Sequence, residues 1–243
     1  MAIKINKTAF SHTSFSNEDL GSLSYIVHQL PKKGYYNGKI YQGKKVIDHF
    51  ELTCSDEFKT RQVDIDICSF RNTPISEKGK SGFKVGPEGY VVFFNSQGTS
   101  GLRVRLDLLE KEKFRNTFDN TKLGKGDLLV FTLLRPGSYR ALASNARSGL
   151  NLEVQYPTEK LLTRRQDLNK PVEIEVGKKG FNINSAKLLP GQGLLFRFQE
   201  PSSVITRLAK PVDEGKFNDK LKLVRKKSKK KPRRQVHWVN PRK

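Results

Sequence analysis

Long apolar runs, thiols, thioethers and imidazoles are all scarce in this 243-residue sequence. No stretch approaches the ~18 apolar residues that a membrane-spanning helix requires, so no membrane span is expected. The opening segment, MAIKINKTAFSHTSFSNEDL, has no apolar core followed by a small-residue cleavage site. It does not read as a signal peptide, and a cytoplasmic protein is the simplest expectation, nucleoid- or nucleus-associated if bound to nucleic acid. The cysteines are two, Cys54 and Cys68, in β-rich apolar patterns on consecutive expected strands. They are expected to pack as reduced small hydrophobes, with a single disulfide across a hairpin as the alternative.

The scarcity of ligating and nucleophilic side chains also limits the chemistry. His49 with Cys54 and Cys68 makes three potential ligands at a spacing that matches no zinc signature. His12 and His28 stand apart from any cysteine or carboxylate pair, and Asp64 and Asp66 share the outer face of one strand. Gly79-Lys80-Ser81 ends like a phosphate loop, but Pro74 stands where the first glycine is needed. There is no Gly-x-Ser-x-Gly elbow, and Ser138 follows a Pro-Gly turn. No nucleophile, base and orienting group assemble, so the chain is expected not to be an enzyme and to use no metal or cofactor.

What is present is strand signal. In Leu123 to Pro157, two apolar stretches are joined by Pro136-Gly137 and an Asn/Ser/Gly-rich loop. Leu150, Leu152, Val154 and Tyr156 alternate there with Asn151, Glu153 and Gln155, the period of two of a half-buried strand. The same period places Val63, Ile65 and Ile67 inward against Asp64 and Asp66, and Leu102, Val104, Leu106 and Leu108 against Arg103 and Arg105. Tyr90 to Phe94 is apolar on both faces, which suits a central strand. Two helices are also expected. One runs from a Ser16 cap through Leu20, Leu23, Ile26, Val27 and Leu30 to Pro31, with an extended segment as the alternative; the other is a short crossover over residues 109–117.

The expected organisation is an N-terminal arm with a possible short helix over residues 1–34, a main β-sandwich over 35–157 and a linker over 158–170. A small β unit follows over 171–212, packed on the main domain or paired with another copy, and a disordered basic tail over 213–243.

The order strand, Pro136-Gly137-Ser138-Tyr139, strand, loop, Gly149, alternating strand resembles the C-terminal half of a cupredoxin. Residues 171–209, with Gly180-Phe181 and Pro190-Gly191, are similar to its N-terminal half. The resemblance implies an all-β, cupredoxin-like Greek-key sandwich. A blue-copper site needs two histidines, a cysteine thiolate and usually a methionine. The corresponding run from Arg140 to Leu150 contains none of them, and the one methionine is Met1. The expected scaffold is therefore copper-free.

The strongest functional signal is charge. Of the formal +22, twelve positive charges and no acid lie from Lys220 onward, which leaves about +10 on residues 1–219. Such a distribution favours polyanions. Lys226, Lys227, Lys229, Lys230, Lys231, Arg233 and Arg234 are placed to neutralise phosphates and Trp238 to stack on a base, with Arg164 and Arg165 extending the surface. Nucleic acid is the expected partner, RNA ahead of DNA. The rival is an assembly or adhesion module whose β body recruits a protein partner or self-associates through its small β unit.

Overall fold

The computed structural model describes residues 11–69, 82–97, 101–156 and 170–212. These build seventeen strands and no helical element. The protein is all-β.

The strands are β1 (Ser14–Ser16), β2 (Ser24–Gln29), β3 (Gly34–Gln42), β4 (Lys45–Cys54), β5 (Gln62–Asp66), β6 (Gly82–Val85), β7 (Tyr90–Phe94), β8 (Leu102–Glu110) and β9 (Lys113–Asp119). They continue as β10 (Leu128–Thr132), β11 (Gly137–Ala143), β12 (Leu150–Val154), β13 (Val172–Gly177), β14 (Gly180–Phe181), β15 (Ser185–Leu188), β16 (Gly193–Phe198) and β17 (Val204–Pro211). A central sheet has the order β14-β13-β16-β10-β2-β7-β5, and two five-stranded sheets run β6-β4-β3-β8-β9 and β1-β17-β11-β12-β15. Ring contacts tie the central sheet to both partners. Phe93 meets Phe50 and Phe118 of one outer sheet, and Phe131 stacks at 5.1 Å on Phe15 of the other, both from the same inward face of the central sheet.

The pairings repeat. β2 with β7 (antiparallel), β7 with β5 (parallel), β3 with β4 and β8 (antiparallel), and β4 with β6 (parallel) recur as β10 with β16, β16 with β13, β11 with β12 and β17, and β12 with β15. The halves meet where β2 pairs antiparallel with β10, with Ile26 opposite Leu129 and Val27 and Tyr25 opposite Leu128 and Val130. An antiparallel pair is what a two-fold axis normal to a sheet produces from a strand and its own copy. The first strand of each half is exchanged. β1 pairs with β17, the last strand of the second half, and β9 with β8, the last strand of the first.

The sequence carries the same duplication at a spacing of 103 residues. Phe15-Ser16-Asn17-Glu18-Asp19-Leu20-Gly21 returns as Phe118-Asp119-Asn120-Thr121-Lys122-Leu123-Gly124, and Gly34-Tyr35-Tyr36 as Gly137-Ser138-Tyr139. The repeated residues do the same work. Asn17 Nδ2 donates to the Asn120 carbonyl at 2.6 Å and Asn120 Nδ2 to the Asn17 carbonyl at 2.7 Å. Their Oδ1 atoms accept from Val204 N and Val104 N at 2.6 and 2.9 Å. Both amides are fully buried and bonded at both ends, so they clamp the exchanged strands together. Tyr36 and Tyr139 each donate to the carbonyl four residues earlier, of Lys32 at 2.5 Å and of Arg135 at 2.8 Å. Burial pushes both phenols up to about 12. Gly34 and Gly137 precede these corners with φ of 147° and 153°.

Neither expected helix forms: β2 with its flanking loops takes the place of the first, and a β8–β9 hairpin that of the second. Over residues 24–29 the side chains of Ser24, Ile26 and His28 are buried while Tyr25 and Gln29 are exposed, a period of two rather than 3.6. The β-branched pair Ile26-Val27 suits an extended chain, and β2 has a partner on each side in the central sheet. Residues 14–16 and 24–29 are thus strands of two sheets. Residues 109–117 turn sharply at Lys111 and Glu112, both with positive φ (46° and 65°), which sends β9 back along β8 as a hairpin. Residues 171–211 add β13, β14 and β16 to the central sheet and β15 and β17 to an outer one. Tyr90–Phe94 lies between β2 and β5, and Ile65 and Ile67 are buried as the alternation requires. Cys54 and Cys68 are buried and unbridged. They do not face each other across a hairpin, because β4 pairs with β3 and β6 while β5 pairs with β7.

Candidate functional site

The basic cluster of Lys226, Lys227, Lys229, Lys230, Lys231, Arg233, Arg234 and Trp238, and the pair Arg164 and Arg165, lie outside the described residues. The described residues contain a different polar site, at the end of β2.

His28, on the inward face of β2, and Asp127, just before β10, are buried, and His28 Nδ1 lies 2.7 Å from Asp127 Oδ1. The sequence separates them by 99 residues. Asp127 is aimed by a tight turn. Gly124 N donates to its Oδ2 at 2.7 Å, its own N–H donates to the Gly124 carbonyl at 3.1 Å, and Gly126 takes a φ of 91°. Gly124-Lys125-Gly126-Asp127, readable from sequence as a loop able to approach phosphate, is therefore first a device for holding a carboxylate. That carboxylate in turn fixes the imidazole: a proton on Nδ1 is the one that can be donated to it. Nε2 is buried and has no hydrogen-bond partner among the described residues. The far side of the ring packs on Phe118, centroids 4.4 Å apart.

His28 and Asp127 line a cleft of about 680 Å³, within the range of small-molecule sites. Its wall also includes Glu88, Asp119, Lys122 and Lys125. Lys122 and Lys125 are exposed and form no ion pair among the described residues, whereas Asp119 faces Arg103 at 3.6 Å. His28, set aside in the sequence for want of a nearby carboxylate, thus has one brought to it by the fold.

A second polar cluster is structural. Asp107 is buried at a bulge between β8 and β9 and accepts from Lys39 Nζ at 2.9 Å and Arg105 Nε at 2.7 Å. Burial alone would raise its carboxyl, but these bonds and one from Asn116 outweigh it and hold the group below the usual carboxylate range. Near β5, Asp66 is likewise held low: burial opposes, and donors on Cys68 and Ser96 prevail. Among the described residues no three His, Cys, Asp or Glu side chains group as metal ligands. His49, Cys54 and Cys68 are accordingly not brought together.

Fold and site define an all-β protein with an internally duplicated body and a polar cleft, lined from both halves, that holds the His28–Asp127 pair. No protein-family model matches the chain, and no curated protein and no solved structure matches it either.

Proposed function

We propose that this chain is a non-enzymatic, polyanion-binding protein, RNA ahead of DNA, that works through its basic C-terminal segment on a copper-free, cupredoxin-like Greek-key scaffold. Twelve cations and no acid from Lys220 onward carry the reading. Lys226, Lys227, Lys229, Lys230, Lys231, Arg233 and Arg234 displace counterions from phosphates, and Trp238 stacks on an exposed base, with Arg164 and Arg165 widening the basic surface. The cupredoxin likeness is supported by layered sheets that mix parallel and antiparallel pairs, and by the Pro136-Gly137 corner before Tyr139.

Truncation after Asp219 tests the function. Affinity for single-stranded RNA should collapse, and the intact chain should bind with a steep inverse dependence on salt. Binding that survives truncation, or that salt does not weaken, refutes the assignment.

One observation favours the rival reading, an assembly module that recruits a protein partner. The outward face of the central sheet presents Tyr25 and Tyr90, 43% and 42% exposed, beside half-buried Val27, Val92, Leu128 and Val130. Under that reading Tyr25→Lys with Tyr90→Lys abolishes partner capture, and truncation after Asp219 leaves it intact.

A further inference from the structure

The internal duplication supplies a control for the cleft. At the 103-residue spacing, His28 corresponds to Phe131 and Asp127 to Ser24, while Lys122 and Lys125 correspond to Asp19 and Ser22. The packing is conserved without the imidazole and carboxylate: Phe15 stacks on Phe131 in the second half where Phe118 packs on His28 in the first. The fold is thus completed at the equivalent place by a phenylalanine and a serine. A buried imidazole and carboxylate bonded to each other must both be desolvated, a cost that the phenylalanine at the equivalent place does not carry. Ser24 Oγ on the other side is also buried without a hydrogen-bond partner among the described residues. The His28 side adds an imidazole held by a carboxylate on the wall of a ligand-sized cleft, and its unpartnered Nε2 marks it for a ligand.

The chemistry of the ligand follows from the groups. With the proton held on Nδ1 toward Asp127, Nε2 is a lone-pair acceptor and calls for a hydroxyl or N–H donor. Lys122 and Lys125 supply two cations that are not paired among the described residues, suited to one anionic group. Glu88 and Asp119 on the same wall disfavour a ligand that is anionic throughout. We propose that the cleft binds a hydroxyl-bearing phosphate monoester of ribose-phosphate size, its hydroxyl donating to His28 Nε2 and its phosphate held by Lys122 and Lys125. This goes beyond the polyanion reading and does not depend on the basic segment. The chemistry is shared by a free nucleotide and by the 5′-phosphorylated end of an RNA.

Two-dimensional NMR of the histidine rings in the full chain, titrated with ribose 5-phosphate, adenosine 5′-monophosphate and a 5′-phosphorylated oligoribonucleotide, tests the proposal. The His28 Nε2 resonance should move with at least one probe; a response to the monophosphates identifies a free small molecule, and a response to the oligonucleotide alone identifies an RNA end. H28F combined with D127S installs the second half's own residues, and K122S with K125S removes the cations. Each pair should weaken the responding probe by about tenfold or more. The chain truncated after Asp219 should keep the response, which separates this site from the basic segment. A His28 resonance that no probe moves, or an affinity unchanged in both variant pairs, overturns the proposal.

Discussion

Removing either central asparagine should reveal how much the duplicated body depends on its two-fold clamp. In Asn17→Ala the lost amide leaves the Asn120 carbonyl and the Val204 N–H buried with no partner, at a place where both asparagines are fully buried. Each orphaned group costs about 1–3 kcal/mol, so the substitution should cost about 2–6 kcal/mol, against a total stability of about 5–15 kcal/mol for a typical domain. Asn120→Ala orphans the equivalent pair, the Asn17 carbonyl and Val104 N–H. Its cost should match that of Asn17→Ala within about 1 kcal/mol, because the two side chains make the same bonds in the same burial. The double variant should be largely unfolded. Urea denaturation followed by far-ultraviolet circular dichroism gives the comparison directly. A single-variant loss under about 1 kcal/mol, or costs that differ by more than about 2 kcal/mol, would show that the reciprocal bonds do not hold the halves together.

The tyrosine corners offer a second matched pair. Tyr36→Phe and Tyr139→Phe each delete one hydrogen bond to a carbonyl, Tyr36→Phe also a longer one from Lys32 N–H, and each should cost about 1 kcal/mol in thermal or urea unfolding. Gly38→Ala should cost more, about 2–3 kcal/mol by the same assay, because its Cβ would run into the ring of fully buried Phe50. Asp107 gives a pH test. Its folded pKa is depressed, so its contribution is present above the unfolded value of about 3.9 and is lost as pH falls through the folded value. Asp107→Asn should therefore destabilise by about 1–3 kcal/mol near pH 7, allowing for solvent at the half-exposed Lys39 and Arg105, and the gap from the parent should close in acid. A gap that persists below the folded value would place the effect in packing rather than charge.

Much of the body is legible in the sequence because its strands are half-buried. Leu102, Val104, Leu106 and Leu108 alternate with Arg103 and Arg105, and Leu150, Leu152 and Val154 with Asn151 and Glu153; all seven apolar residues are buried. The same reasoning fails over residues 16–30, where Leu20, Ile26 and Leu30 sit at helical spacings yet are buried from two loops and a strand. A central strand draws its hydrogen bonds from chain far away in sequence, and no local pattern records them. The duplication is written in the sequence, in the Phe-x-Asn-x-x-Leu-Gly motif at Phe15 and Phe118, but only in sparse positions. Those positions are where a side chain must do one thing: an amide that bonds both ways, a glycine ahead of a corner, a phenol that reaches a carbonyl. Elsewhere any inward apolar residue serves, so Phe50 stands against Leu150 and Val85 against Leu188. The His28–Asp127 pair was not legible at all, since it is made by β2 and β10 meeting across 99 residues.

The duplication sorts residues by what the fold demands of them. Where the halves agree, as at Asn17 and Asn120 or Tyr36 and Tyr139, a common structural requirement explains the agreement. Where they part at an otherwise matching place, the fold has been satisfied twice by different means, and the costlier means needs another reason. His28 and Asp127 against Phe131 and Ser24 is such a place, with a buried imidazole–carboxylate hydrogen bond on one side and a ring stack on the other. The logic has a consequence for stability that requires no ligand. If the pair is kept for binding, H28F with D127S should leave the unfolding free energy unchanged within about 1 kcal/mol or raise it, because replacing both partners of a buried hydrogen bond together is close to neutral. A loss of more than about 2 kcal/mol in the double variant would assign the pair to folding and remove the reason to look for a ligand.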